Sequence, residues 1–165
     1  MSKMFPDQRL ALFALGADKL AAALQGLSEE QLDLCCAPGE WTIRQIVHHV
    51  ADDGDAFALP LKKAIATPGA RIRFEEFPGN EPWADALAFD KRPIGPALAL
   101  IAAHRQTIVQ LLEYLPDAWE RCVTILDSQG QEMQEISGGS IVGMLAEHMD
   151  EHIGTIGRIR EKHSL

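Results

Sequence analysis

Apolar positions recur with the 3.6-residue period of a helix in four long stretches. Leu10, Phe13, Ala14, Ala17, Ala21 and Leu24 fall three or four apart, which predicts a first helix from about Asp7 to Gln25. Ser28-Glu29-Glu30-Gln31 predicts a short helical turn under a serine cap, closed by Pro38-Gly39. Thr42 and Gln45 form a capping-box pair, and Ile43, Ile46, Val47, Val50 and Phe57 line one face of a second helix from about Ile43 to Ala66. Pro60 removes a backbone donor within it, so a kink is expected there. A third helix starts between Pro93 and Pro96, where proline is tolerated in the first turn. Leu98, Ile101, Ile108, Leu111, Leu112 and Leu115 carry its face until Pro116-Asp117. Gly138-Gly139-Ser140 is read as a break before a fourth helix, from about Ser140 to Lys162, faced by Ile141, Leu145, Met149, Ile156 and Ile159.

The segments between are of two kinds. From Thr67 to Arg92 the chain is rich in Pro and Gly, with Phe74, Phe77 and Trp83 placed without period, which predicts a long crossover bordering a cavity or pinned to the bundle by its aromatics. Residues 117 to 136 hold a short helix at Ala118 to Arg121 and then Val123 to Leu126 before Asp127-Ser128-Gln129-Gly130, either a small hairpin or an extended cover. Strand alternation is otherwise almost absent. The fold expected is all-α, a four-helix bundle with a long crossover between the second and third helices, and residues 1–165 form one domain.

Composition narrows the function. At 165 residues, 47% apolar and 24% charged, the chain can bury one sizeable core. Fifteen Lys and Arg against 24 Asp and Glu leave a net charge of −9, which disfavours nucleic acid and anionic lipid as partners. Cys35, Cys36 and Cys122 make no disulfide framework and suit a reducing cytoplasm. No signal-peptide core opens the chain and no apolar run is long enough to span a membrane, so no membrane role is expected.

Histidine placement carries the chemistry. On the second helix His49 lies about 110° from the centre of the apolar stripe and His48 about 150°, so His49 sits on the shoulder of the core and His48 turns toward solvent. His148 and His152 are spaced i, i+4 on an apolar face shared with Ile141, Leu145 and Ile156. Imidazoles directed into a bundle need a partner, and such a pair suits a transition metal, with His49 the best-placed third donor. Alternatively, one of the pair is a hydrogen-bonded core histidine and the other a surface residue. Asp52 is a candidate to orient the His49 ring, equally readable as a solvated acid, and Asp53 is a rival for that role or for general-base work. His104 points near the apolar centre of its helix, where a bond to a carbonyl is the simpler account, and His163 suits the dipole of a helix end.

Two motifs resemble a known family. Glu40-Trp41-Thr42-Ile43-Arg44-Gln45-Ile46-Val47-His48-His49-Val50-Ala51-Asp52 is similar to the second-helix signature of the DinB/YfiT-like metalloenzymes, a Trp, a capping Ser or Thr, and a His followed by an aliphatic residue, a variable one and Asp. Its late HxxxH partner is matched by Leu145 to Ile156, which contains His148 and His152. The resemblance implies a four-helix bundle with His49, His148 and His152 as ligands of a divalent ion, for which imidazoles allow Zn, Ni or Fe. The chain departs from the YfiT-like pattern at Asp53-Gly54, where Ser-His is usual, and at Glu147, where an aromatic is usual.

Several chemistries are set aside. No Glu lies three residues before any of the three histidines, as in di-iron bundles, and His-Glu-x-x-His, a phosphate loop and Gly-x-Ser-x-Gly are missing. The function expected is a metal-dependent enzyme that activates a thiol or water against a small-molecule substrate, with a low-molecular-weight thiol as a candidate co-substrate. A homodimer is a possible assembly. The competing expectation is a non-catalytic metal-binding or stress-response protein of the same fold. No catalytic residue is assigned.

Overall fold

The computed structural model describes residues 6–73 and 76–165; Phe74 of the crossover lies outside them. Four long helices form a bundle: α1 Pro6–Leu24, α2 Ile43–Ala66, α4 Gly95–Tyr114 and α5 Gly138–His163. Each of α1 and α2 packs against both α4 and α5, so α1 and α2 stand diagonally across the bundle, as do α4 and α5. The interior is filled by Phe13, Leu20, Ile43, Ile46, Val47, Leu61, Leu112, Ile141, Met149, Ile156 and Ile159, all fully buried; Leu20 and Leu61 join the face residues that the helical spacing predicted. Among the described residues no helix is long and apolar enough to cross a membrane.

The Thr42 cap forms as expected. Its side chain accepts from the Gln45 amide at 3.2 Å while the Gln45 side chain accepts from the Thr42 amide at 2.9 Å, which starts α2 at Ile43 and sets its rotation. The helix continues through Pro60 to Ala66. Ser28 opens a single 3₁₀ turn at Gln31–Asp33, and the short helix expected near Ala118 is a 3₁₀ turn at Pro116–Trp119.

Two features add to the expected architecture. The crossover is partly structured, with a three-residue strand β1 Arg71–Arg73 and a short helix α3 Asn80–Ala86. Strands β2 Cys122–Leu126 and β3 Glu132–Ser137 form the hairpin that was one of the two expected forms. Strand β1 adds to this hairpin in parallel, Ile72 beside Ile125, making a three-stranded sheet in the order β1-β2-β3. The sheet buries Ile72 and Val123 against Ala64 of α2, which ties the start of the crossover to the bundle.

Gly138 and Gly139 are not a break, since they form the first turn of α5 under the Ser137 cap. A methyl group on Gly138 would meet the Ala118 carbonyl oxygen at 2.6 Å, and one on Gly139 would meet the Trp119 ring at 2.5 Å. The two glycines therefore serve close packing of the helix start against the 3₁₀ turn.

Candidate metal centre

Two helices deliver three imidazoles to one point. Burial of the apolar stripe of α2 carries His49 inward with Ile46 and Val50, and the i, i+4 spacing on α5 brings His148 and His152 to meet it. The Nε2 of His148 lies 3.3 Å from Nε2 of His49 and 2.9 Å from Nε2 of His152. Trp41, just before the cap, sets its ring edge-on to His49 with centroids 4.6 Å apart.

Asp53 supports the cluster from below. Its Oδ2 is 3.0 Å from Nδ1 of His148 and 3.5 Å from Nε2 of His49. A carboxylate only accepts, so Asp53 favours the tautomer of His148 that carries a proton on Nδ1, which leaves Nε2 for a metal. Burial disfavours imidazolium here: it lowers the pKa of His49 despite the nearby Asp53, and with the neighbouring histidines it takes His152 down to about 4. The rings of His49 and His152 are thus neutral near pH 7, the form that ligates metal.

The donor set fits a divalent transition ion. All three donor nitrogens lie within 4.8 Å of one another. Tetrahedral zinc with Zn–N near 2.1 Å needs nitrogens about 3.4 Å apart, close to the 3.3 Å between His49 and His148. A protein bond on Nδ1 that leaves Nε2 for the ion is also the usual arrangement around a histidine ligand.

Other sequence candidates divide clearly. Asp52 faces the crossover and accepts from the Trp83 indole Nε1 at 2.8 Å, whereas Asp53 holds the imidazoles. His48 does not turn to solvent: it is 4% exposed, with Nε2 3.0 Å from the Arg92 carbonyl oxygen, Nδ1 3.3 Å from the Arg92 guanidinium, and its ring against Phe89. The wheel located His48 relative to the bundle core and could not show that the end of the crossover covers the outer face of α2. Among the described residues His104 finds no carbonyl partner; Nε2 lies 3.6 Å from Asp55, and the buried Nδ1 has no partner among them beside a water-sized cavity shared with Asp53 and His148. His163 bonds the Cys35 carbonyl at 3.0 Å, tying the end of α5 to the loop before α2.

The imidazoles open onto a cavity of about 680 Å³ lined by His49, Asp52, Asp53, Phe57, Trp83 and His148, with Arg73, Phe77 and Asn80 from the crossover completing it. The crossover therefore borders the cavity, as its length and aromatics predict. Arg73 and Asn80 were not legible as site residues, because single polar residues in an irregular segment carry no period. A second cleft, about 500 Å³, meets the cluster at Asp53 and His148 from the side of Arg9 and Glu147.

The fold and the site together define a helical-bundle protein with a candidate three-histidine metal centre. The chain belongs to the DinB superfamily, whose family model matches residues 12–156. Relatives from Oceanobacillus iheyensis, 32% identical over 79% of this chain and 71% of theirs, and from Bacillus mycoides, 28% identical over 88% and 79%, both carry the name "Putative metal-dependent hydrolase". Among solved structures, YfiT from Bacillus subtilis, described as "a probable metal-dependent hydrolase with an unusual four-helix bundle topology", shares the fold. Its TM-score is 0.82 at 22% identity, covering 99% of this chain and 90% of that one. A mycothiol-dependent maleylpyruvate isomerase shares the fold more loosely, with a TM-score of 0.66 and 17% identity over 95% of this chain and 64% of its own.

Proposed function

We propose that this protein is a metal-dependent enzyme in which His49, His148 and His152 hold one divalent ion, zinc, nickel or iron, and the adjoining cavity receives a small-molecule substrate. The observation that carries this reading is the meeting of three Nε2 atoms at the edge of a cavity, with Nδ1 of His148 already bonded to Asp53. When bound, such an ion acts as a Lewis acid that lowers the pKa of a coordinated water or thiol. The residues around it divide the remaining tasks. Asp53 holds the imidazole proton of His148, Trp41 buttresses His49, and Asp52 fixes Trp83 in the cavity wall.

The nucleophile follows from what the carboxylates already do. Asp53 lies 3.0 Å from Nδ1 of His148 and Asp52 accepts from the Trp83 indole, so neither stands as an unengaged general base in the cavity. A nucleophile acidified by coordination suits this better than one deprotonated by a side chain, and a low-molecular-weight thiol suits it best. The names of the relatives favour water. Metal analysis of protein purified without chelator, then parallel thiol-transfer and hydrolysis panels, tests both levels. About one ion per chain and thiol transfer is the expected result. Substoichiometric metal that Zn, Ni or Fe cannot restore overturns the metal reading, and hydrolysis without thiol dependence overturns the thiol.

A further inference from the structure

We propose that His104 is a positioning residue of the metal centre, holding Asp53 against His148 through one buried water. The inference rests on the metal-dependent reading above and adds a third helix, α4, to the two that deliver the imidazoles. His104 Nδ1 is buried and finds no hydrogen-bond partner among the described residues. Buried polar atoms are paired in folded proteins, with protein or with ordered water. Nε2 of the same ring lies 3.6 Å from Oδ1 of Asp55, which favours the tautomer protonated on Nε2. Nδ1 is then an acceptor that needs a donor.

The side chains beside it supply none. A cavity of about 20 Å³ is shared by His104, Asp53, Arg105 and His148, with apolar residues of α1, α2, α4 and α5 around them. Arg105 is committed to the Phe13 and Leu145 carbonyls, and His148 turns its Nδ1 to Asp53. Gly54 keeps the space open, since a methyl group there would stand 3.6 Å from Nδ1 of His104. What remains is Asp53, whose Oδ2 makes both contacts to the imidazoles and whose Oδ1 makes neither. A carboxylate oxygen also accepts. Two acceptors, His104 Nδ1 and the Asp53 carboxylate, therefore border a cavity large enough for one water, which takes roughly 10 to 15 Å³ of such space. Water is the molecule of that size with two hydrogens to give. It donates one to Nδ1 and the other to Asp53, so the carboxylate is braced from α4 while it orients His148.

A crystal structure of the full-length protein after chelation, at a resolution that shows ordered water, and zinc titration of the wild type, His104→Asn and His104→Leu test the assignment. Asparagine keeps a polar atom where Nδ1 stood, and leucine has nearly the same shape without one. The structure should show a water within hydrogen-bond distance of both His104 Nδ1 and Asp53. Against a chromophoric chelator, His104→Leu should bind zinc about tenfold more weakly, the low end for a partner behind a metal-bound histidine, and His104→Asn should stay within about twofold of wild type. A role in packing alone would leave the two variants alike. A structure without the bridging water, equal zinc affinity in the two variants, or wild-type affinity in His104→Leu overturns the inference. Wild-type protein that binds no zinc yet shows the bridging water would sink the metal reading and leave His104 as the brace of Asp53.

Discussion

Removing the carboxylate of Asp53 should weaken metal binding in two graded steps. In the native protein it accepts from Nδ1 of His148 at 3.0 Å and lies 3.5 Å from Nε2 of His49. Asp53→Asn keeps an oxygen that can accept from His148 and loses the charge. Asp53→Ala loses both and frees the ring to turn. A hydrogen bond to a charged partner contributes roughly 1.5 to 3 kcal/mol, which converts to about 10 to 100-fold in affinity and agrees with the effect of partners behind metal-bound histidines. Asparagine should sit near the tenfold end and alanine near the hundredfold end. Asp52→Asn, whose carboxylate holds Trp83 instead, should stay within about twofold of wild type. Zinc titration against a chromophoric chelator gives the affinities, and circular dichroism confirms that each variant stays helical. Wild-type affinity in Asp53→Ala, or a larger loss in Asp52→Asn than in Asp53→Asn, would show that the assignment of the two carboxylates is reversed.

Three further outcomes are expected. Single alanine substitutions at His49, His148 and His152 should each cut zinc affinity severely, while His48→Ala should retain zinc binding and lower stability by about 1 to 3 kcal/mol in urea unfolding, because it strips a buried ring of both contacts to Arg92. Equal zinc loss in His48→Ala would place that ring in the site. Gly16→Ala should destabilise by about 1 to 3 kcal/mol, since the added methyl meets the Arg105 guanidinium, which bonds the Phe13 and Leu145 carbonyls and cannot retreat; an unchanged midpoint would show that it can. Metal-free protein should lose stability as pH falls from about 6.5 toward 4, because the unfolded chain takes up protons that buried His49 and His152 refuse. For His152, which is only partly buried, solvent screening reduces the effect to about 1 to 2 kcal/mol, present above pH 6.5 and lost by pH 4. A melting temperature that rises with acidification over that window would contradict the burial of these rings.

The bundle and the meeting of His49, His148 and His152 were legible in the chain because both depend on local period. Thr42 and Gln45 close a cap that starts α2, its apolar stripe places His49 on the shoulder of the core, and the i, i+4 spacing of His148 and His152 puts two rings on one face without any tertiary information. What the chain could not show depends on contacts between segments far apart in sequence. Asp52 and Asp53 are adjacent and chemically identical; only the approach of Trp83 from the crossover gives one an indole and leaves the other to the imidazoles. His48 is buried only because Phe89 and Arg92 return over the outer face of α2. Gly138 and Gly139 look like punctuation in sequence and become a packing surface once Ala118 and Trp119 lie against them. Strand β1 is three residues long, too short for alternation to register, and exists because the β2–β3 hairpin offers it an edge. A helix writes its inward face into its own period, whereas the partner of a side chain on its outer face is decided by whichever distant segment the fold brings to cover it.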